Sequence, residues 1–350
     1  MKWINLLLIF APIAILGELL HWSPNLLFIT SALAVIPAAG LLGEATEELA
    51  THTGPRVGGL LNATLGNAAE LIISIFAIRA GLLELVKASI TGSIIGNILL
   101  VTGLSILVGG LKHGTQHFNR AEAGVNATQL LLSVLALAVP SLFFFAHTEN
   151  VGPVEWLSLG TAVAMLVIYV LGLLFVFRYT RVDAALAHEV EEEHGGGWGL
   201  RRALGVLLAA TILIAVLSEV LVGAVEHAGE TMGISEFFIG IIVVPLVGNV
   251  AEHLVAVQAA LKNKMDLSMT VSLGSSLQVA LFVAPVLVFL SLLIGNPLTL
   301  VFNQFELVAL FGGTLIAAFV AVDGESNWLE GAQLLALYTV LALAFFFLRV

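Results

Sequence analysis

Apolar runs of about 20 residues, long enough to cross the roughly 30 Å hydrocarbon layer of a bilayer as helices, recur along almost the whole chain. Only 11% of the 350 residues are charged, whereas a soluble domain carries about 25%, so polar side chains cannot cover the surface in water. In lipid every backbone amide needs an internal partner, and the runs lack the alternation of barrel strands. The sequence therefore predicts an all-α membrane protein.

Glycine, proline, asparagine and charged residues divide the chain into eleven predicted transmembrane helices. These cover residues 3–20, 25–42, 57–79, 88–110, 125–146, 154–178, 202–224, 236–261, 268–294, 302–321 and 330–349. Ten of the thirteen lysine and arginine residues then lie on the N-terminal side, so the positive-inside rule predicts a cytoplasmic N-terminus. The short termini suggest a prokaryotic cell membrane.

A five-residue motif occurs twice: Gly66–Glu70 reads GNAAE and Gly248–Glu252, 182 residues later, reads GNVAE. The same offset relates other pairs, namely Glu44 with Glu226, Glu48 with Glu230, Gly58 with Gly240, and Gly92-Ser93 with Gly274-Ser275. This indicates a duplication of five spans. We expect an extra N-terminal span at 1–20, repeats at 25–178 and 202–350, and a linker at 179–201. Because five is odd, the two repeats are inverted, an arrangement typical of transporters.

The duplicated motif puts one glutamate of each repeat, Glu70 and Glu252, near the middle of the bilayer. A charge there costs about 2.5 to 3.5 kcal/mol and needs a partner, a proton or an ion. Further oxygen-bearing side chains are predicted around the pair, namely Asn67, Asn249, Ser93, Ser275, Asn97 and Gln278. An all-oxygen site with two carboxylates favours Ca²⁺, which takes six to eight flexible oxygen ligands. The only metal expected is this transported Ca²⁺, held by Glu70 and Glu252, and no cofactor is expected.

Two carboxylates held together in a low dielectric repel each other, so their proton affinity rises when no cation is present. The same pair can thus hold Ca²⁺ or protons, and an empty charged site crosses slowly between two open states. Acidic residues near span ends are predicted to line the access paths, namely Glu44, Glu48, Glu226 and Glu230. His253 faces another side of its helix and fits a packing or gating role.

The linker carries an acidic run comprising Glu189, Glu191, Glu192 and Glu193. Such a run is either simply solvated or concentrates Ca²⁺ near the cytoplasmic mouth. With a net charge of −11 and no cysteine, the chain offers neither a basic nucleic-acid surface nor a disulfide or thiolate site. The partners expected are Ca²⁺, protons and the lipid bilayer, and assembly into a homo-oligomer is an open alternative.

The two motifs, with Lys264–Leu267 (KMDL) and Leu273–Gln278 (LGSSLQ), resemble the calcium/proton exchangers of the calcium/cation antiporter superfamily. The resemblance implies that Glu70 and Glu252 alternately bind Ca²⁺ and protons, that the second and seventh spans act as gates, and that the acidic linker forms a helix. The alternatives are a sodium/calcium exchanger, whose repeats resemble Gly-(Ser/Thr)-Ser-x-Pro-(Glu/Asp), and a Ca²⁺ channel. Enzyme motifs are lacking, which favours a secondary active transporter.

Overall fold

The computed structural model describes residues 4–146, 152–179 and 197–348. Twelve helices account for almost all of this part of the chain. The first six are α1 Ile4–Leu19, α2 Pro24–Leu65, α3 Ala68–Arg79, α4 Leu83–His113, α5 Arg120–Ala146 and α6 Gly152–Tyr179. The others are α7 Leu200–Met232, α8 Glu236–Gly248, α9 Val250–Leu261, α10 Met265–Ile294, α11 Gln304–Asp323 and α12 Trp328–Phe347. One two-residue ribbon pairs β1 Gln116–His117 with β2 Glu325–Ser326.

The predicted all-α membrane architecture is confirmed. Among the described residues, nine helical segments are long and apolar enough to cross a bilayer, and the bent pair α8 and α9 makes a tenth. Helix α1 is shorter, and its first six residues form a 3₁₀ helix. Together these elements match the eleven predicted spans in order. The protein is therefore a multi-pass membrane protein.

The predicted end of the second span at residue 42 is wrong, because α2 continues without a break to Gly54. The residues after position 42 are rich in alanine and glutamate, which favour a helix. The helix kinks only at Gly54, which has φ 79° and precedes Pro55. A proline disfavours helical backbone in the residue before it, and glycine alone adopts positive φ without strain. Residues 43–54 thus extend the span instead of forming a loop.

The predicted third and eighth spans are both interrupted within the duplicated motif. Asn67, with φ −95° and ψ 16°, separates α2 from α3, and Asn249, with φ −108° and ψ 8°, separates α8 from α9. The predicted eighth span at 236–261 is a broken span, because α8 and α9 meet at a 63° bend. Neither asparagine side chain caps the following helix; each amide donates to a side chain across the break instead, Asn67 to Gln278 and Asn249 to Glu70.

Helices α4 and α10 each contain a π-helical turn, at Gly96–Val101 and Val279–Val283. The two turns lie 182 residues apart at their C-terminal ends, the same offset that relates the duplicated motifs. A π turn adds one residue to a helical turn and rotates the side chains that precede it. The π turn begins three residues after Ser93 in α4 and four residues after Ser275 in α10. Both helices thus present a serine to the centre of the bundle just before the turn.

Candidate functional site

The helix breaks set the depth and direction of the two central glutamates. Asn67 and Asn249 occupy the N-cap positions of α3 and α9, so Glu70 and Glu252 each lie in the first turn of a helix that begins inside the bundle. The N-terminal end of a helix carries partial positive charge and exposes unpaired N–H groups, which stabilise a nearby carboxylate. Both acidic groups are therefore held where a broken helix offsets part of their charge.

The two motifs pack against each other. A methyl group added at Gly248 would lie 3.3 Å from Glu70 Cγ, and one added at Gly66 would lie 3.6 Å from Glu252 Oε1. The glycine of each motif therefore contacts the glutamate of the other. This reciprocal packing brings the two carboxyl groups to one place, although 182 residues separate them in the chain.

Glu70 is 3% exposed and accepts two hydrogen bonds through Oε1. The Ser93 hydroxyl of α4 donates a short hydrogen bond to it, and Asn249 Nδ2 donates another at 2.6 Å. Asn249 Nδ2 also lies 3.4 Å from Ser93 Oγ. Ser93, from the first half of the chain, and Asn249, from the second half, therefore both donate to this carboxylate.

Glu252 lines a cavity of about 320 Å³. The Ser275 hydroxyl of α10 lies within hydrogen-bonding reach of its carboxylate, and Glu70 and Glu47 are near enough to act on it electrostatically. Other polar side chains that face the cavity are Glu44, Thr46, Asn62, Thr270 and Gln278. Glu70 does not line this cavity, so the two central carboxylates differ in access.

The remaining predicted site residues form contacts between the two halves. Asn67 Nδ2 donates to Gln278 Oε1 at 2.5 Å, and Asn97 Nδ2 donates to Ser275 Oγ at 2.9 Å. Both asparagines are 1% exposed. The structure therefore brings together all eight residues that the sequence placed at the site.

Three buried oxygen atoms at this place have no hydrogen-bond partner among the described residues: Asn67 Oδ1, Glu70 Oε2 and Glu252 Oε2. Buried polar atoms are nearly always paired, so three free acceptors on residues of the two packed motifs need an explanation. A bound cation or proton would supply it, because either one takes up oxygen lone pairs. No group of three or more acidic or histidine side chains forms a metal cluster in the described ranges, so the donor set is two carboxylates plus neutral oxygens.

The residues predicted as gates lie at different places. Glu44 lines the cavity, while Glu48, one turn further along α2, is 6% exposed. Glu226 and Glu230 lie near the end of α7, where both act electrostatically on Glu236.

His253 faces a small cavity of about 10 Å³ together with Ser93 and Tyr338. The acidic linker, Glu189, Glu191, Glu192 and Glu193, lies outside the described residues.

Sequence reasoning missed several residues near the site. Glu47 lines the cavity beside Glu44, and the Tyr169 hydroxyl donates to the Ala63 carbonyl at 2.9 Å. In an unbroken helix that carbonyl would accept from Asn67, so Tyr169 compensates for the break. No periodicity in α6 marks this tyrosine. Buried Glu306 was also missed, although Asn303-x-x-Glu306 has the spacing of a capping box.

The sequence profile of the sodium/calcium exchanger protein family matches residues 24–178 and 202–347. The chain is 46% identical to the Ca(2+)/H(+) antiporter of Aphanothece halophytica, over 97% of this chain and 95% of that protein. It is 44% identical to the Ca(2+)/H(+) antiporter ChaA of Bacillus subtilis, over 96% of each.

Two solved structures share the architecture. Native YfkE matches with a TM-score of 0.86 and 41% identity, covering 99% of this chain and 100% of that one. The H+/Ca2+ exchanger CAX matches with a TM-score of 0.75 over 99% of this chain and 91% of that one, and its 16% identity shows the fold alone. The chain therefore belongs to the sodium/calcium exchanger protein family, in its calcium/proton exchanger branch.

Proposed function

We propose that this protein is a Ca²⁺/H⁺ antiporter in which Glu70 and Glu252 hold either one Ca²⁺ ion or protons. The observation that carries the proposal is the set of unpaired buried oxygens on Asn67, Glu70 and Glu252. Hard oxygen ligands with two negative charges suit Ca²⁺, which accepts irregular geometry. Protons satisfy the same oxygens by turning a carboxylate into a hydroxyl donor. The antiporter names of the relatives from Aphanothece halophytica and Bacillus subtilis support this assignment.

Exchange follows from the cost of an empty site. Two unneutralised carboxylates in a low-dielectric site repel each other, and each has also lost its hydration. With Ca²⁺ or protons bound, the charge is balanced and the site can cross between its two open states. Ca²⁺ and protons therefore cross the membrane in opposite directions, bound in turn to the same two carboxylates. Ca²⁺ moves one way only when protons move the other way.

The difference in access between Glu252 and Glu70 supports alternating access. Glu252 faces the cavity, whereas Glu70 is closed off beneath Ser93 and Asn249. We propose two inverted repeats of five spans, one of which is open here while the other is closed. The cavity opens at the end of the bundle that carries residues 43–56, which the positive-inside rule assigns to the cytoplasm.

The paths to the site are proposed to be acidic on both sides. Glu44 and Glu47 face the open cavity. On the opposite side of the bundle, Glu226 and Glu230 both lie on α7 and interact electrostatically with Glu236. Carboxylates at both mouths raise the local concentration of cations, an effect that salt screens. Glu48 and His253 complete the proposed gates, and the acidic linker is proposed to collect Ca²⁺ on the cytoplasmic side.

The decisive experiment measures Ca²⁺ flux into proteoliposomes that contain the purified full chain. An imposed proton gradient should drive uptake, and a sodium gradient of equal size should not. Glu70→Gln and Glu252→Gln should each reduce proton-driven flux to the level of empty liposomes, because glutamine keeps the shape but cannot carry the charge. Glu18→Gln, which changes an exposed carboxyl in α1, is the matched control and should transport normally.

Three results would contradict the proposal. Sodium-driven uptake that survives collapse of the proton gradient would make the protein a sodium/calcium exchanger. Uptake without any opposing gradient would indicate a channel. Normal flux in either Glu70→Gln or Glu252→Gln would mean that the paired carboxylates are not the transport site.

A further inference from the structure

A second buried carboxyl group lies outside the proposed ion site. Glu306, in the first turn of α11, is 1% exposed. Its Oε2 accepts from the backbone N–H of Asn303 at 2.8 Å, and its own N–H donates to Asn303 Oδ1 at 2.9 Å. This reciprocal pair is a capping box, which satisfies N–H groups at the start of a helix.

Capping alone does not account for Glu306. Helix α12 starts with the same kind of box, formed by Asn327 and Glu330, and there Glu330 is only half-buried and accepts from Asn327 through both oxygens. Glu306 instead directs Oε1 to another helix, where it accepts from Thr91 Oγ1 at 3.0 Å. Thr91 is fully buried in α4. The carboxylate therefore joins α11 to α4.

The partner on α4 is close to the ion site. Thr91 lies two residues before Ser93, which donates to Glu70. Lys87, one turn before Thr91, is 8% exposed, pairs with Glu84 at 2.5 Å, and acts electrostatically on Glu306. These residues belong to the start of α4, which follows α3, and this end of the bundle lies opposite the cavity.

We propose that Glu306 is a positioning residue for ion exchange, which acts through Thr91 and holds α4 where Ser93 reaches Glu70. The attachment matters because Ser93 must meet Glu70 from a different helix, and sliding of α4 along its axis would move its hydroxyl off the carboxylate. The bond from Thr91 to Glu306 is buried between the two helices, and the low dielectric there makes it stronger than the same bond in water. This inference rests on the proposed exchange function.

The test compares Glu306→Ala with Glu330→Ala in proteoliposomes. Both substitutions remove the acidic member of a capping box, but only the first should affect the site. We expect Glu306→Ala to raise the Ca²⁺ concentration for half-maximal transport about fivefold, the effect of roughly one hydrogen bond, with a smaller change in maximal rate. Glu330→Ala should leave that concentration unchanged.

A double-mutant cycle separates positioning from general damage. In a Ser93→Ala background, Glu306→Ala should raise the half-maximal concentration no further, because its effect passes through Ser93. Glu306→Gln keeps the length and one oxygen and should restore part of the affinity. Thr91→Val tests the same bond from the other helix, should Glu306→Ala fail to fold, and should match its effect.

Equal effects of Glu306→Ala and Glu330→Ala would overturn the inference, as would an unreduced effect of Glu306→Ala in the Ser93→Ala background. So would normal affinity in Thr91→Val. None of these outcomes touches the proposed function, which is tested separately by the driving gradient and by the Glu70→Gln and Glu252→Gln variants.

Discussion

The contact between α4 and α8 at Gly92 gives the sharpest structural prediction. A methyl group added at Gly92 would lie 2.6 Å from the carbonyl carbon of Ile241 and 2.7 Å from Pro245 Cγ. The carbonyl oxygen of Ile241 would lie nearer still, and ordinary contact begins at 3.4 Å, so the two helices would have to separate by more than about 0.8 Å. Both neighbours are rigid, one being backbone and the other a proline ring, so neither can yield by a rotamer change.

We expect Gly92→Ala to lower the free energy of unfolding by about 3 kcal/mol, the upper end of the cost of overpacking a core. The function should suffer as well. Asn249, which follows α8, and Ser93 of α4 donate to the same oxygen of Glu70, so a separation of α4 from α8 pulls one of these two donors away from the carboxylate. Losing about 1 kcal/mol of support around Glu70 should weaken Ca²⁺ binding about fivefold.

The matched control is Gly96→Ala, one turn along α4, where a methyl group would meet nothing within 4 Å and the backbone is helical, with φ −59°. Both variants are heated in detergent, and the temperature at which the monodisperse size-exclusion peak disappears is measured. Ca²⁺ uptake is then assayed in proteoliposomes. A Gly92→Ala protein as stable and as active as Gly96→Ala would refute the packing argument.

Two further substitutions probe the surroundings of the site. Ser93→Ala should raise the Ca²⁺ concentration for half-maximal uptake about fivefold, since Glu70 loses a donor, whereas Ser89→Ala, one turn earlier on α4, should not; equal affinities would contradict the role of Ser93. Tyr169→Phe should lower the free energy of unfolding by about 1 kcal/mol, because the Ala63 carbonyl loses its partner, as measured by the same size-exclusion assay. Unchanged stability would mean that the carbonyl finds another donor.

The sequence by itself determined the fold class and the pair of central carboxylates. Apolar runs long enough to span lipid admit only helices, because a backbone in hydrocarbon must satisfy its own hydrogen bonds. A charged residue at mid-span is costly enough that a symmetric pair at Glu70 and Glu252 indicates a function. These conclusions depend on local composition and on spacing along the chain, which the sequence contains directly.

Only the tertiary structure decided where the helices break and which side chains meet. Hydropathy is the same in a straight and a broken helix, so it could not reveal the interruptions at Asn67 and Asn249. The contact of Thr91 with Glu306 joins residues 215 positions apart, a pairing that depends on how α4 and α11 pack. Burial and hydrogen bonding are properties of neighbours in space, and for this protein the packing of the two halves supplies those neighbours.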